Sequence, residues 1–294
     1  MKSFKSLSNL KSDKRKRALC LTLTLFVVFV VVTIWGNFTL CVESFEFESQ
    51  KLESVNGIKI AHISDYHNTK IKSLNKAVIT SLNEQKPDAI FITGDLFDSR
   101  KTDISKSISF VSQIIKIAPV YYVTGNHECN VSIADQSAFD NFIDDLKAMG
   151  VVVLREDVTT INLSDNQKIN VYGIFDPLFY CNNSTEFTKT TEQLCSSFVM
   201  DYTELNLLLA HQPEQINTYA DFGFDIVYSG HAHGGQGRLF GVGLIAPDQG
   251  LFPKYSSGLY YAENTILVVS RGIGNSIAPV RVFCRPHLIY TTIK

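Results

Sequence analysis

The chain has 294 residues, 45% of them hydrophobic and 19% charged, with 27 basic and 29 acidic side chains and a formal net charge of −2. That balance excludes a disordered or low-complexity chain. Six cysteines are too few for a disulfide scaffold, and the roughly 240 residues beyond the N-terminal segments suit one domain with a sizeable core.

Residues 1–17 read as a basic cytoplasmic tail. Lys2, Lys5, Lys11, Lys14, Arg15, Lys16 and Arg17 stand against Asp13 alone, a net of +6 that leaves −8 for the rest of the chain. An acidic remainder argues against nucleic acid as a partner. Residues 18–35 are apolar from Ala18 to Trp35, and eighteen residues of helix span about 27 Å, close to a bilayer's hydrocarbon thickness. The basic flank predicts a single-pass anchor in the cell membrane, with the N-terminus cytoplasmic and the rest of the chain outside. A cleaved signal peptide is the rival, but it requires small residues at the cleavage site, and Ile34-Trp35-Gly36-Asn37-Phe38 has no such pattern,. Residues 36–55, with Glu43, Glu46, Glu48 and Glu53, read as a short polar linker compatible with a strand at its start. The main domain is then 56–294.

Within it, five apolar runs read as buried strands: 58–63, 89–93, 120–124, 207–209 and 225–228,. Helical spacing lies between the early ones, over Leu74–Glu84 and over Phe139–Met149, the second stopped by Gly150,. The alternation predicts an α/β core. After each strand comes a polar motif: Asp65-Tyr66-His67, Gly94-Asp95-Leu96-Phe97-Asp98, Gly125-Asn126-His127-Glu128, Ala210-His211 and Gly230-His231-Ala232-His233. In α/β sheets ligands bind beyond the carboxyl ends of strands, so these clusters can converge. Their oxygen and imidazole donors suit a transition-metal dication, and Mn, Fe and Zn are accepted alike. One Gly-Asp alone is ordinarily a turn. Five donor motifs in this order are not explained as independent turns. His62, inside a strand run, and His287 read instead as core histidines.

The ordered set Asp-x-His, Gly-Asp-x-x-Asp, Gly-Asn-His-Glu, His, Gly-His-x-His resembles the calcineurin-like metallophosphoesterase superfamily. The run Gly230 to Gln236, followed by Leu244-Ile245-Ala246-Pro247 and Gly250-Leu251-Phe252-Pro253, is similar to its membrane-associated bacterial branch, which includes UDP-2,3-diacylglucosamine pyrophosphatases. The resemblance implies a four-layer α/β/β/α sandwich of two mixed sheets, here preceded by one transmembrane helix, with two divalent metal ions. It assigns one metal to Asp65, His67 and His233, the second to Asn126, His211 and His231, and the bridge to Asp95. It makes His127 the catalytic histidine, not a ligand, and Asp98 the carboxylate that orients it. Tyr66 departs from the aliphatic residue expected between the first two ligands.

Two dications about 3.5–4 Å apart lower the pKa of a shared water and neutralise phosphate oxygens, and a histidine beside a carboxylate can then protonate the leaving oxygen. The expected activity is hydrolysis of phosphoester or phosphoanhydride bonds in a phosphorylated small molecule or lipid. A non-catalytic, metal-containing envelope-binding protein is the alternative from another class, and the unligated pair His127 and Asp98 argues against it. Glu128 reads as a supporting or surface acid. For substrate contact the glycine-rich segment 234–258 offers Arg238, Lys254, Tyr255 and Phe252, and Arg271 begins a second candidate wall at 271–274. A bridge between Cys181 and Cys195 is the disulfide to test, and Cys129, near His127, is not needed to complete the ligand set.

Overall fold

The computed structural model describes residues 2–52, 57–163, 167–182, 186–187, 189–275 and 280–294. Helix α1 (Lys2–Phe38) leads, and its stretch Asp13–Phe38 is apolar and long enough to cross a bilayer,. There follow β1 (Cys41–Phe47), β2 (Ile58–Ile63), α2 (Lys72–Gln85), β3 (Ala89–Thr93), α3 (Ile104–Ile114), β4 (Val120–Val123), α4 (Asn126–Ala134), α5 (Gln136–Ala148), β5 (Val152–Val153), β6 (Asp157–Asn162) and β7 (Lys168–Gly173). The second half holds β8 (Cys181–Asn182), β9 (Glu186–Phe187), α6 (Thr191–Cys195), β10 (Leu205–Leu209), α7 (Ile216–Asp221) and β11 (Ile226–Ser229). The short strands β12 (Arg238–Leu239), β13 (Val242–Gly243), β14 (Ile245–Ala246) and β15 (Gly250–Leu251) precede β16 (Gly258–Ala262), β17 (Thr265–Val269) and β18 (His287–Ile293).

Two six-stranded sheets result, ordered β1-β18-β2-β3-β4-β5 and β16-β17-β11-β10-β7-β6. Both are mixed: β2 to β5 run parallel and β18 opposes β2, while β7, β10, β11 and β17 run parallel between antiparallel edges. Alternation along each strand sorts its side chains. On β3, Phe91 faces a middle core with Ile60, Leu207 and Tyr228 from both sheets. Ile90 and Ile92 face an outer core with Leu74 of α2, Phe110 of α3 and Phe142 of α5. Beyond the second sheet a third core joins Leu208 and Val227 to Leu194 of α6 and Tyr219 of α7. Helices therefore cover both outer faces of two stacked sheets, and the expected four-layer α/β arrangement is present.

Strand β1 occupies the start of the segment read as a linker. It pairs in parallel with β18, from Cys41 opposite His287 to Phe47 opposite Ile293, so residues 41–47 are part of the first sheet and not a tether. Glu53, the last acid of that segment, lies outside the described residues. Glu43 turns inward and meets Arg271 at 3.0 Å and His287 at 3.3 Å. The His287 imidazole draws the Glu43 carboxyl down to about 2 against its burial, and Arg271 adds to the effect. A carboxylate depressed by folding stabilises the fold above its unfolded pKa and loses that contribution as pH falls through the folded one. Glu43→Gln is accordingly expected to lower the melting temperature at pH 7 and to flatten the acid loss of stability between pH 4.5 and about 2. Glu43 is 36% exposed, so screening keeps the effect to about 1 kcal/mol or less. Thermal melts across that range check it; an acid limb identical to wild type would refute the role.

The cysteines at 181 and 195 are free thiols, as are the other four. The departure at Tyr66 is absorbed by packing: its ring stacks on Phe110 at 4.2 Å and its hydroxyl accepts from Asn75 Nδ2 at 3.0 Å.

Candidate metal centre

The parallel strands β2, β3, β4, β10 and β11 end at one edge of the stacked sheets, and the five polar motifs begin there. Past β2 and β3 the ladder continues through the loops, with N–H groups of Asp65, His67 and Asn68 donating to the carbonyls of Gly94, Asp95 and Leu96. The Glu128 carboxylate, fully buried, collects the N–H groups of Asp95 (2.8 Å), Leu96 (2.7 Å) and Gly125 (2.8 Å). One side chain at the start of α4 thus fastens two donor loops together. Glu128 is a positioning group and not a surface acid. Two glycines allow the loops to close: a Cβ at Gly125 would lie 2.3 Å from Asp95 Oδ1, and one at Gly230 would lie 1.8 Å from Ser64 Oγ.

Asp65, His67, Asp95 and His233 are buried, with one donor atom from each lying within 4.8 Å of the others. His67 Nε2 is 3.1 Å from His233 Nε2, and His233 Nε2 is 3.4 Å from Asp65 Oδ1. A second group adjoins it. His211 Nε2 stands 3.2 Å from Asn126 Oδ1, 3.1 Å from His231 Nδ1 and 3.4 Å from Asp95 Oδ2. Asp95 Oδ2 is also 3.6 Å from His67 Nε2, so this carboxylate stands between the two groups. All seven sequence-predicted ligands come together.

The tautomers test whether a cation fits. His211 Nδ1 lies 2.7 Å from the Thr93 carbonyl, which can only accept, and His231 Nε2 lies 2.8 Å from Asp248 Oδ2, likewise an acceptor. Each ring in its neutral form must place its hydrogen there. The lone pairs of His211 Nε2 and His231 Nδ1 then face each other at 3.1 Å beside the Asn126 carbonyl. Lone pairs converging in a buried pocket are mutually repulsive unless a cation sits among them. The donor set therefore fits divalent ions.

Backbone conformation points the same way. Asp65, His67, Asp95, His231 and His233 all have φ between 46° and 64°, a left-handed conformation costing non-glycine residues of order 1–3 kcal/mol each. The fold holds these donors where relaxed strand ends would not.

His127 lies beside the two groups, outside the four-residue cluster of Asp65, His67, Asp95 and His233. Its Nδ1 accepts the Ser99 N–H at 2.9 Å, with Ser99 Oγ at 3.0 Å. Because an amide N–H only donates, the neutral ring carries its hydrogen on Nε2, which lies 3.9 Å from Asp95 Oδ2 on the side of the two donor groups. Asp98 Oδ1 is 3.6 Å from Nδ1, but its hydrogen bonds go elsewhere: Arg100 Nε donates to Oδ1 at 3.0 Å and Arg100 Nη2 to Oδ2 at 2.7 Å. Burial opposes ionisation of Asp98, but Arg100 prevails and holds the carboxyl below its ordinary range. Ser99, Arg100 and Asp248 were not singled out from the sequence; each lies outside the motifs and acts through a partner within them, His127, Asp98 and His231 in turn.

The expected substrate contacts fare differently. Arg238 donates to the Gly234 carbonyl (3.1 Å), to Ser256 Oγ (3.3 Å) and to the Gly241 carbonyl. Arg271, 8% exposed, is bound to Glu43 and Ser257. Lys254 Nζ lies 4.7 Å from the Tyr255 ring, which packs edge-on against Tyr260. Arg238, Arg271 and Tyr255 thus engage other parts of the protein, and Lys254 is exposed beside its neighbour. The cleft beside His67 is lined instead by Lys70, Asp98, Arg100, Lys101 and Asn275, among others, and has a volume of about 550 Å³.

Asp248 is expected to matter through His231. Carboxylates bonded to a ligating histidine typically account for about 10–100-fold in metal affinity, so Asp248→Ala should weaken Zn²⁺ or Mn²⁺ binding by that range in calorimetric titration, with the melting temperature of the metal-free protein little changed. Unaltered affinity would show that Asp248 does not support the ligand.

Comparison with known proteins follows the geometry. The family model described as calcineurin-like phosphoesterase matches residues 58–235, a span that contains every donor named above. An uncharacterized metallophosphoesterase, YkuE, of Bacillus subtilis (strain 168) is 28% identical over 247 residues, covering 81% of this chain and 80% of its own length. A transmembrane protein with metallophosphoesterase domain from Danio rerio is 26% identical over 289 residues, 93% of this chain and 62% of that one. Among solved structures, TT1561 of Thermus thermophilus aligns over 74% of this chain and 92% of its own with a TM-score of 0.49 and 11% identity.

Proposed function

This chain belongs to the calcineurin-like phosphoesterase family, and we propose that it is a membrane-tethered hydrolase of phosphoester or phosphoanhydride bonds that works with two divalent metal ions. The observation that carries the reading is the pair of adjoining donor groups sharing Asp95, with the Nε2–H of His127 directed toward them. Asp65, His67 and His233 would hold one ion and Asn126, His211 and His231 the other, with Asp95 common to both. Bound there, the ions supply an activated water and neutralise the phosphate oxygens. His127, its ring fixed by Ser99, would direct its Nε2–H as a hydrogen bond to the leaving oxygen and stabilise the charge that develops there,. Asp98 holds Arg100 at the cleft. Arg100, Lys70 and Lys101 give the entrance a positive lining that draws in an anionic group,.

The proposed topology keeps residues 1–17 in the cytoplasm, 18–35 in the cell membrane and the domain outside, from the basic flank of the helix,. A substrate in or on the membrane suits that placement. The motif likeness to UDP-2,3-diacylglucosamine pyrophosphatases favours a phosphate or pyrophosphate carried on a lipid. The test is turnover by the full chain in detergent, loaded with Mn²⁺ or Zn²⁺, on a phosphomonoester, a phosphodiester and a pyrophosphate-linked substrate. Hydrolysis of at least one, dependent on metal, is expected. Full metal loading with no turnover on any would make the protein a binding scaffold.

A further inference from the structure

The surface around the end of helix α1 is apolar beyond what a water-facing loop needs. Phe240 is 97% exposed, Leu251 72%, Phe252 68% and Phe283 54%, and soluble surfaces rarely gather large apolar side chains in this way. These residues come from different loops, but backbone contacts join them to one another and to the helix. Asn37, buried at the helix end, exchanges two hydrogen bonds with Arg281: its Nδ2 donates to the Arg281 carbonyl and its Oδ1 accepts the Arg281 N–H, each at 2.9 Å. A Cβ on Gly36 would lie 3.4 Å from the Arg281 carbonyl oxygen and 3.9 Å from the Phe283 N. From there Val282 bridges to Gly237 and accepts the Arg238 N–H at 2.9 Å. The β12–β13 hairpin, with Phe240 at its turn, follows at once. Phe252 is tied to the same unit through its N–H to the Leu244 carbonyl at 2.9 Å.

Charge agrees with this. Between 236 and 254 the only acid is Asp248, and it is turned to His231. Residues 280–287 contain Arg281 and Arg285 and no acid, and Arg285 lies 4.5 Å from the ring of Trp35. An aromatic ring with a cation above it at the end of an apolar helix is the composition found where a span meets the lipid headgroups.

We propose that the two hairpins over residues 238–252, together with Phe283, form a second membrane contact, seated in the headgroup and upper acyl region of the bilayer beside helix α1. The occupant is the lipid surface itself, because the patch is continuous with a helix long and apolar enough to span it,. The inference rests on the anchor reading given above and adds a consequence for the site. Asp248, between β14 and β15, holds the proposed ligand His231, so the seated hairpins also fix one side of the metal centre at the bilayer surface.

The chain contains one tryptophan, Trp35, which makes a clean test. The full chain is reconstituted in vesicles of phosphatidylglycerol and acyl-brominated phosphatidylcholine, whose bromines quench indole fluorescence only within the membrane. Trp35 in the wild type reports the helix; F240W and F252W, each in a Trp35→Phe background, report the patch; V199W in that background reports a residue 93% exposed outside the patch. The expected result is loss of emission for F240W and F252W comparable to that of Trp35, with V199W unquenched. Quenching of Trp35 without quenching of F240W and F252W overturns the patch and leaves the anchor standing. Equal quenching of V199W overturns the patch as the specific seat. Unquenched Trp35 overturns the anchor and this inference together.

Discussion

Asp95→Asn is expected to empty or scramble the metal centre and to abolish turnover. Asp95 Oδ2 lies 3.4 Å from His211 Nε2 and 3.6 Å from His67 Nε2, one ring from each donor group. It is the group that both ions would share. The other oxygen, Oδ1, accepts the His127 N–H at 2.9 Å. An amide in this place removes the negative charge and presents either an N–H toward the ions or an N–H toward the His127 amide, and both orientations are repulsive. Metal content by plasma emission should fall below one ion per chain, and kcat/KM by at least about a thousandfold, which corresponds to about 4 kcal/mol of transition-state stabilisation. Two retained ions with near-normal rates would remove Asp95 from the bridging role.

His127→Ala should separate binding from chemistry. The ring meets His67 edge-on at 4.7 Å, while its Nδ1 accepts from Ser99 and its Nε2 is 3.9 Å from Asp95. The variant is expected to keep both ions while kcat falls by about 10²–10³-fold, the usual contribution of one donor to a developing oxyanion. The loss should be smallest for substrates whose leaving group is acidic, since these develop the least basic oxygen. An aryl phosphate carrying a nitro group, compared with an alkyl phosphate, provides that contrast. Equal loss of metal and activity, or equal loss on both leaving groups, would show that His127 does not act at the leaving oxygen. Ser99→Ala is a weaker version of the same test, because the backbone N–H of residue 99 still fixes the tautomer.

The strands and the donors were legible in the sequence for a shared reason. A strand buried on both faces is mostly apolar: β3, β4 and β11 read that way, and β2 and β10 do so in spite of Lys59, His62 and Asn206,. The donor motifs then stand out as the polar residues directly after each run. Helix α4 was not legible, because Asn126–Ala134 carries no apolar period and begins inside a donor motif. Its start matters, since it is what turns Glu128 back onto the amides of Asp95 and Leu96. Arg238 and Arg271 show what the sequence does not carry. Their nearness in sequence to ligands suggested substrate contact, whereas the direction of a guanidinium is decided by tertiary partners: the Gly234 and Gly241 carbonyls for one and Glu43 for the other. Nor could the left-handed conformation of Asp65, His67, Asp95, His231 and His233 be anticipated. Histidine and aspartate adopt such φ values more readily than most side chains, but they do so seldom, and here the closed loops select them.

The buried Asn37 has a practical meaning for anyone who would cut the chain after its apolar helix to obtain a soluble fragment. Besides its two bonds to Arg281, Asn37 accepts from Asn275 Nδ2 at 3.1 Å, and a Cβ on the preceding residue, Gly274, would lie 3.0 Å from His67 Cβ. A fragment that begins at residue 40 would leave the buried Arg281 amide without its acceptor, a cost of about 1–3 kcal/mol, and would loosen the loop that braces a metal ligand. The helix end is thus a structural member of the catalytic domain, and a truncated enzyme that proves sluggish or metal-poor would be reporting the cut and not the native catalyst.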